Sequence, residues 1–256
     1  MRHILADEQR EVLAQLSWSN VLLGFDFDGT LAPIVDDPER AALQPGTRRH
    51  LAELAALYPC VVISGRSVRD VERRVGGLGL RAIIGNHGLE PWRATRELEL
   101  VVERWRELLD RLLAGLPGVE IEDKTYSLAV HYRRSRQKKR ARTAILLALG
   151  QLDGVRLIGG KQVVNAVPIG APHKGMALER ERDHLGCDTA LFVGDDETDE
   201  DVFALERPGR LVTVRVGTLG DSQASYCLRS QTEIDDLMER LIALRRDGLT
   251  RRKLAR

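Results

Sequence analysis

The chain has 256 residues, of which 43% are hydrophobic and 30% are charged, and its formal net charge is +1 at pH 7. This composition is typical of a globular protein with a sizeable core, and the balanced charge argues against nucleic acid or an anionic membrane as a partner. The cysteines at positions 60, 187 and 227 lack Cys-x-x-Cys spacing, so neither a zinc site nor a disulfide framework is predicted. Because no signal-peptide pattern or membrane-length apolar run is present, we expect a cytoplasmic protein.

Short apolar runs alternate with helix-patterned segments through much of the chain. Consecutive apolar residues are typical of strands that are buried on both faces. Such runs lie at residues 21–26, 60–64, 81–84, 190–193 and 211–216. Helix start signals follow some of them, including the capping-box spacings at residues 67–70 and 198–201. This alternation predicts an α/β fold with a Rossmann-like, doubly wound parallel sheet.

The middle of the chain has a different order of elements. An amphipathic helix and a basic helix are each followed by two strand-like pieces. In chain order these six elements lie at residues 95–113, 119–122, 126–132, 135–149, 155–158 and 162–167. The repeated order predicts a smaller α+β cap domain inserted into the larger fold. We therefore place the first part of the core at residues 1–89, the cap at 90–170 and the second part of the core at 171–256.

The segment DFDGT at residues 26–30 ends the first apolar run. Asp26 and Asp28 are two residues apart, so their side chains can lean toward one site. Two carboxylates this close repel each other unless a cation lies between them, and they suit a division into one ionised and one proton-carrying group. Gly29 permits the tight turn that follows. Taken alone, an acidic turn without function remains the simpler interpretation.

Three further polar motifs lie at strand ends or helix starts, where open α/β sheets bind ligands. Ser64, in Ser-Gly-Arg after the second run, can donate to a phosphate oxygen, and Lys174 at a helix start can bind phosphate as a point cation. Asp195 and Asp196 open an acidic segment after the fourth run. Such carboxylates suit magnesium, although some must cap the helix near Asp199. Each motif alone has an equally simple structural explanation.

Together these motifs resemble the haloacid dehalogenase superfamily, and within it the trehalose-6-phosphate phosphatases. The resemblance covers residues 21–203. It rests on DFDGTLAPIVDDP at 26–38, SGR at 64–66, GNHG at 85–88, EDK and HYR at 122–133, KG at 174–175 and GDDETDED at 194–201. It implies a Mg²⁺-dependent phosphatase that hydrolyses trehalose 6-phosphate through an aspartyl-phosphate. It also implies a monomer and raises functional pairing with a trehalose-phosphate synthase.

The resemblance implies catalytic and metal-binding roles for named residues. Asp26 is the expected nucleophile. Asp28 is expected to protonate the leaving sugar oxygen and then to activate water, while Ser64 and Lys174 bind the transferring phosphoryl group. The implied magnesium ligands are Asp26, the Asp28 carbonyl and Asp195, with support from Asp196 or Asp199.

The resemblance also implies substrate-binding residues. Arg66, Asn86 and His87 are expected to contact the ligand from the core. The expected contacts from the cap are Glu122, Lys124, His131, Arg133 and Asn165. For His87 and His131 a purely structural role is an equal alternative.

One residue departs from the family pattern. Asn165 stands where a glutamate that binds sugar hydroxyls is expected, and asparagine lacks the charge. The alternative substrates are therefore other glycosyl phosphates, such as sucrose phosphate or a glycosyl-phosphoglycerate. Two further alternatives are a mutase that passes the phosphoryl group to a sugar and a non-catalytic sugar-phosphate sensor.

Overall fold

The structure is a computed structural model that describes residues 1–91, 95–160, 162–205, 209–217 and 220–254. The strands are β1 (Arg2–His3), β2 (Val21–Phe25), β3 (Cys60–Ile63), β4 (Ala82–Ile84), β5 (Glu120–Asp123), β6 (Leu128–His131), β7 (Val155–Gly160), β8 (Val163–Pro168), β9 (Thr189–Gly194), β10 (Leu211–Val216) and β11 (Tyr226–Leu228). The α-helices are α1 (Arg10–Trp18), α2 (Pro45–Leu57), α3 (Val68–Val75), α4 (Arg96–Leu112), α5 (Lys138–Leu149), α6 (Lys174–His184), α7 (Glu200–Phe203) and α8 (Glu233–Leu254).

The chain divides into two compact units. The first comprises Met1–Gly88 and Lys174–Arg256, and the second comprises Leu89–His173. The first unit is therefore discontinuous in sequence, whereas the second is one continuous segment. In the described part of the chain, no helix combines the length and apolar character that a membrane span requires.

The first unit contains a seven-stranded parallel sheet with the order β1-β11-β10-β9-β2-β3-β4. The predicted α/β fold, with a parallel core sheet and a smaller α+β insert, is confirmed. Alternate residues of β2 pack into a core with apolar residues of α2 and α8. On the opposite face, a Cβ atom at Gly24 would lie 2.8 Å from Leu178 Cδ1 of α6. Gly24 thus permits the close approach of α6 to the sheet.

The second unit contains an antiparallel sheet with the order β5-β6-β8-β7. Leu128, Val130, Val164 and Ala166 belong to a core that includes Trp105 of α4 together with apolar residues of α5. Since side chains alternate along a strand, the residues between these positions lie on the sheet face that points away from this core.

Of the two predicted helix-capping sites, one is observed and the other is not. Ser67 caps α3, because its side chain accepts a hydrogen bond from the amide of Asp70, as predicted. The capping box predicted at Thr198 and Asp201 is wrong. The capping box observed there is formed by Asp196 and Asp199, two residues earlier.

Candidate active site

The carboxyl ends of three neighbouring strands lie side by side in the first unit. Phe25 of β2 pairs with Val62 of β3 and with Val193 of β9, so the three strands end at nearly the same level. The residues that follow these ends include Asp26, Ser64 and Asp195, and the amide of Asp26 donates to the carbonyl of Val193 at 2.9 Å. Parallel pairing therefore brings together residues that are far apart in sequence.

Lys174 links two buried carboxylates at this edge. Its Nζ atom donates to Asp26 Oδ1 at 2.7 Å and to Asp199 Oδ1 at 2.8 Å, and all three side chains are buried. Burial alone would lower the pKa of Lys174, but Asp199 and Asp26 together raise it above its ordinary value. Lys174 is thus a charged ammonium group, held at the start of the helix that packs on Gly24.

Asp26, Asp195 and Asp199 form a group whose carboxylate oxygens lie within 4.8 Å of one another. Burial is the main reason that the pKa values of Asp26 and Asp195 are raised. Repulsion from neighbouring aspartates adds to that effect. Lys174 supplies one positive charge to three carboxylates, so a further cation would relieve the remaining repulsion. The donors are all oxygen atoms, which Mg²⁺ prefers, and the group fits that ion.

Asp196 and Asp199 differ in their contacts. Asp199 Oδ2 accepts hydrogen bonds from the amides of Asp195 at 2.9 Å and Asp196 at 3.0 Å, while Oδ1 binds Lys174. Asp196 Oδ1 accepts a hydrogen bond from the amide of Glu197 at 2.8 Å. Asp199 therefore orients the acidic segment as well as the lysine, and Asp196 caps the short helix that follows.

The turn after Asp26 contacts Asp195 directly. Gly29 has φ 85°, and a Cβ atom there would overlap the carboxylate of Asp195. The hydroxyl group of Thr30 donates to Asp195 Oδ1 at 3.3 Å. Glycine is thus needed both for its backbone conformation and for the space that the Asp195 carboxylate occupies.

Arg66 forms a bidentate ion pair with Asp28. Its Nε and Nη2 atoms donate to the two carboxylate oxygens of Asp28 at 2.6 and 2.7 Å, and Nη1 donates to Asp70 at 2.7 Å. Burial would lower the pKa of Arg66, but the hydrogen bonds and charges of Asp28 and Asp70 raise it. The carboxylate of Asp28 is therefore oriented by a fixed guanidinium group.

Asn86 and His87 support the turn that contains Ser64. Both residues are buried and have left-handed backbone conformations, with φ of 47° and 58°. Their amides donate to the carbonyls of Arg66 at 2.8 Å and Ser64 at 3.0 Å. The ring of His87 lies so close to Gly65 that a Cβ atom there would be 2.5 Å from Cε1. These contacts favour the structural alternative for His87.

The second unit holds the predicted sugar-binding residues. Glu122 and Asn165 both pair with Ala129 of the intervening strand, so they share the sheet face that points away from the helices. His131, two residues further along β6, lies on the same face and makes a 2.8 Å hydrogen bond with Glu122. Lys124 lies in the turn after β5, and Arg133 follows β6. Glu122, His131 and Asn165 thus form one polar row on this face of the sheet.

Comparison with known proteins decides the family. A family model described as trehalose-phosphatase matches residues 24–231. The chain belongs to the trehalose-phosphatase family. The trehalose-phosphate phosphatases of Mycobacterium ulcerans and Mycolicibacterium paratuberculosis are each 35% identical to it, over 236 and 239 residues. These alignments cover 85% of this chain but only 60% and 61% of those proteins. The chain therefore spans about three fifths of their length.

Solved structures share the fold of this trehalose-phosphatase family chain. The C-terminal domain of C. albicans trehalose-6-phosphate phosphatase superposes with a TM-score of 0.74 at 22% identity, covering 91% of this chain and 96% of that one. A trehalose-6-phosphate phosphatase related protein gives 0.71 at 24% identity, covering 90% and 99%. At this identity the likeness establishes the architecture alone.

Sequence reasoning missed several residues at the site. Thr30 is the last residue of the DFDGT motif, and Asp70 lies four residues after the Ser-Gly-Arg motif. The sequence did not predict the contacts of either residue. Arg215 was missed altogether, although it is a charged residue inside the apolar run of β10 and is buried in the structure. A buried charge in a strand of this kind is a signal, because it requires partners.

Proposed function

We propose that this chain is a Mg²⁺-dependent phosphatase that hydrolyses trehalose 6-phosphate to trehalose and phosphate through an aspartyl-phosphate on Asp26. The observation that carries the proposal is the group of Asp26, Asp195 and Asp199, of which Asp26 and Asp199 are buried and in contact with Lys174. A carboxylate nucleophile needs neighbouring positive charge when it approaches a phosphate dianion. We take trehalose 6-phosphate as the substrate from the family description and from the names of the mycobacterial relatives.

The first step forms the covalent intermediate. Lys174 holds Asp26 Oδ1, so we assign Oδ2 as the atom that attacks phosphorus. As the new P–O bond forms, the bond between phosphorus and the sugar oxygen breaks and its electron pair passes to that oxygen. For this the ion pair between Asp28 and Arg66 must open and Asp28 must take up a proton from solvent, which it then donates to the sugar oxygen.

The second step releases phosphate. Asp28, now ionised, removes a proton from a water molecule that attacks phosphorus, and the bond between phosphorus and Asp26 breaks. Ser64 and Lys174 bind the phosphoryl group throughout. Asp26 and Asp195 would hold Mg²⁺ together with the carbonyl of Asp28, and Asp199 supports them through its contacts. When bound, the ion supplies positive charge that offsets the repulsion between Asp26 and the phosphate dianion.

The second unit is proposed to supply substrate specificity. Its polar row of Glu122, His131 and Asn165, with Lys124 and Arg133 nearby, offers donors and acceptors suited to sugar hydroxyls. Arg66 and Asn86 are the proposed contributions of the core, whereas His87 is assigned the structural role that its packing on Gly65 favours. Asn165 favours a second candidate function, the hydrolysis of another glycosyl phosphate, because it removes the expected negative charge.

The proposal extends to location and partners. Cys60, Cys187 and Cys227 are buried and free, which fits a reducing compartment such as the cytoplasm. We propose a monomer that acts on a small sugar phosphate. Functional pairing with a trehalose-phosphate synthase would supply that substrate.

The test is phosphate release in the presence of Mg²⁺ from trehalose 6-phosphate, sucrose 6-phosphate, glucosyl-phosphoglycerate and glucose 6-phosphate. Trehalose 6-phosphate should have the highest kcat/KM. Asp26→Asn should lower kcat by at least about 1000-fold while substrate binding and the fold persist. The matched control is Asp188→Asn at an exposed position, which should retain full activity. Full activity of Asp26→Asn would exclude the proposed nucleophile, and binding without release would favour the sensor.

A further inference from the structure

Arg215 is the fifth of the six residues of β10 and lies in the buried part of that strand. It is 6% exposed, and its neighbours Val214 and Val216 are also buried. In the pairing of β10 with β9 it lies opposite Gly194, the residue that precedes the acidic segment. A buried guanidinium group is stable only if hydrogen bonds and opposite charge compensate for lost hydration.

The guanidinium group binds the acidic segment through its backbone. Nη2 donates to the carbonyl of Asp195 at 2.6 Å, and Nη1 donates to the carbonyl of Asp196 at 3.4 Å and to Glu200 Oε1 at 2.7 Å. The other oxygen of Glu200 accepts a hydrogen bond from the amide of Gln223 at 3.0 Å. Glu200 thus orients the guanidinium group of Arg215. That group in turn holds the carbonyls of Asp195 and Asp196.

These contacts hold the peptide group between Asp195 and Asp196 at both ends. Arg215 binds its carbonyl oxygen, and the carboxylate of Asp199 accepts a hydrogen bond from its amide at 3.0 Å. The preceding peptide group is held as well, since the amide of Asp195 donates to Asp199 at 2.9 Å. With the peptide groups on both sides fixed, the direction in which the Asp195 side chain leaves the backbone is fixed too.

We infer that Arg215 is a positioning residue for Mg²⁺, acting through the backbone of Asp195. It orients the Asp195 carboxylate toward Asp26 without contacting the ion. The inference rests on the proposed function, because it assigns the metal of that site. Residues that orient metal ligands commonly change metal affinity by about 10- to 100-fold when they are replaced.

The test measures Mg²⁺ affinity by isothermal titration calorimetry without substrate, and kcat and KM with trehalose 6-phosphate. Arg215→Lys keeps the charge but loses the planar fork that binds two carbonyls. We expect Mg²⁺ affinity to fall by about 10-fold or more, kcat at low Mg²⁺ to fall with it, and KM for substrate to change by less than about twofold. A merely structural role would lower the unfolding temperature without changing Mg²⁺ affinity.

Arg182→Lys is the matched control. Arg182 is 4% exposed and binds the carboxylate of Asp183 at 2.8 and 3.0 Å, so it is also a buried, paired arginine. It should leave Mg²⁺ affinity within about twofold of the wild type. Glu200→Gln is the second variant if Arg215→Lys does not fold, and it should weaken Mg²⁺ binding in the same direction because the guanidinium plane loses its charged partner.

The outcomes separate the two proposals. Mg²⁺ affinity that is unchanged in Arg215→Lys, or in Glu200→Gln if the first does not fold, overturns the inference and leaves the proposed function standing. If the wild type binds Mg²⁺ but releases no phosphate from any sugar phosphate, the proposed function fails. In that case the effect of Arg215→Lys on affinity still decides the inference. A wild type that does not bind Mg²⁺ overturns both.

Discussion

The ammonium group of Lys174 lies 2.7 Å from Asp26 Oδ1, although the two residues are 148 positions apart in the chain. Both side chains are buried, so each compensates for the lost hydration of the other. The contact also leaves Asp26 with one carboxylate oxygen held by a cation. Three predictions follow from this contact and others at or near the site, and a fourth concerns the polar row of the second unit.

Replacing Lys174 should destabilise the fold as well as remove activity. Lys174→Met leaves Asp26 and Asp199 buried without their shared cation, so the free energy of unfolding should fall by about 3–5 kcal/mol. The double variant Lys174→Met, Asp199→Asn should recover part of that loss because one buried charge is gone. Urea unfolding followed by circular dichroism measures both. The control is Lys138→Met at an exposed position, and a loss as small as that of the control would contradict the buried pairing.

Gly29→Ala should weaken Mg²⁺ binding more than its backbone strain explains. Gly29 and Gly77 have φ of 85° and 78°, so alanine at either position costs about 1–2 kcal/mol of stability. Only at Gly29 does the new methyl group meet the carboxylate of Asp195, since a Cβ atom at Gly77 meets open space. Unfolding temperatures with and without Mg²⁺ make the comparison. Equal stabilisation of Gly29→Ala and Gly77→Ala by Mg²⁺ would show that Asp195 accommodates the methyl group without loss.

The stability contributed by Asp70 should depend on pH. Burial would raise the pKa of Asp70, but hydrogen bonds from Arg66 and Arg74 lower it below its ordinary value of 3.8. A carboxyl group whose pKa is lower in the folded state stabilises the fold above that ordinary value. The contribution is lost as the pH falls through the folded-state value. The difference in unfolding free energy between wild type and Asp70→Asn should therefore be largest near neutral pH and shrink below 3.8.

Urea unfolding between about pH 7 and pH 3 tests this pH dependence. Asp153→Asn, at an exposed position, is the control and should show a difference from wild type that varies little with pH. A difference for Asp70→Asn that stayed constant over the whole range would show that the Arg66 and Arg74 contacts do not favour the ionised carboxylate.

Asn165→Glu should change the choice among sugar phosphates. Glutamate would restore a carboxylate to the polar row that contains Glu122 and His131, and carboxylates bind sugar hydroxyls more strongly than amides do. We expect kcat/KM for trehalose 6-phosphate to rise by about 10-fold relative to sucrose 6-phosphate. Gln15→Glu likewise replaces an amide with a carboxylate, at an exposed position of α1, and should leave the ratio unchanged. An unchanged ratio in Asn165→Glu would remove that residue from sugar recognition.

The strands of the core sheet could be predicted where they are buried on both faces. Apolar runs at residues 21–26, 60–64 and 211–216 correspond to β2, β3 and β10 within one residue at each end. β1 and β11 were not predicted, because two and three residues are too few to show a pattern. They extend one side of the sheet only through their pairing with each other and with β10.

The site could be predicted in part. Asp26, Ser64 and Asp195 were found because each follows a strand and parallel strands end together. The pairing of Arg66 with Asp28 depends on two long side chains from different turns, which no local pattern specifies. The same holds for the left-handed backbone of Asn86 and His87, since these residue types only tolerate that conformation and do not require it.

The discontinuity of the first unit has a consequence for synthesis on the ribosome. β2 pairs with β9, whose first residue is made more than 160 positions after Val21, and Lys174 is added only after the whole second unit has been synthesised. β2 therefore lacks its neighbouring strand β9 while the continuous second unit is translated. That segment can complete its own sheet and helices first. In the nascent chain, the unit that carries the polar row can thus fold before the unit that carries Asp26 is complete.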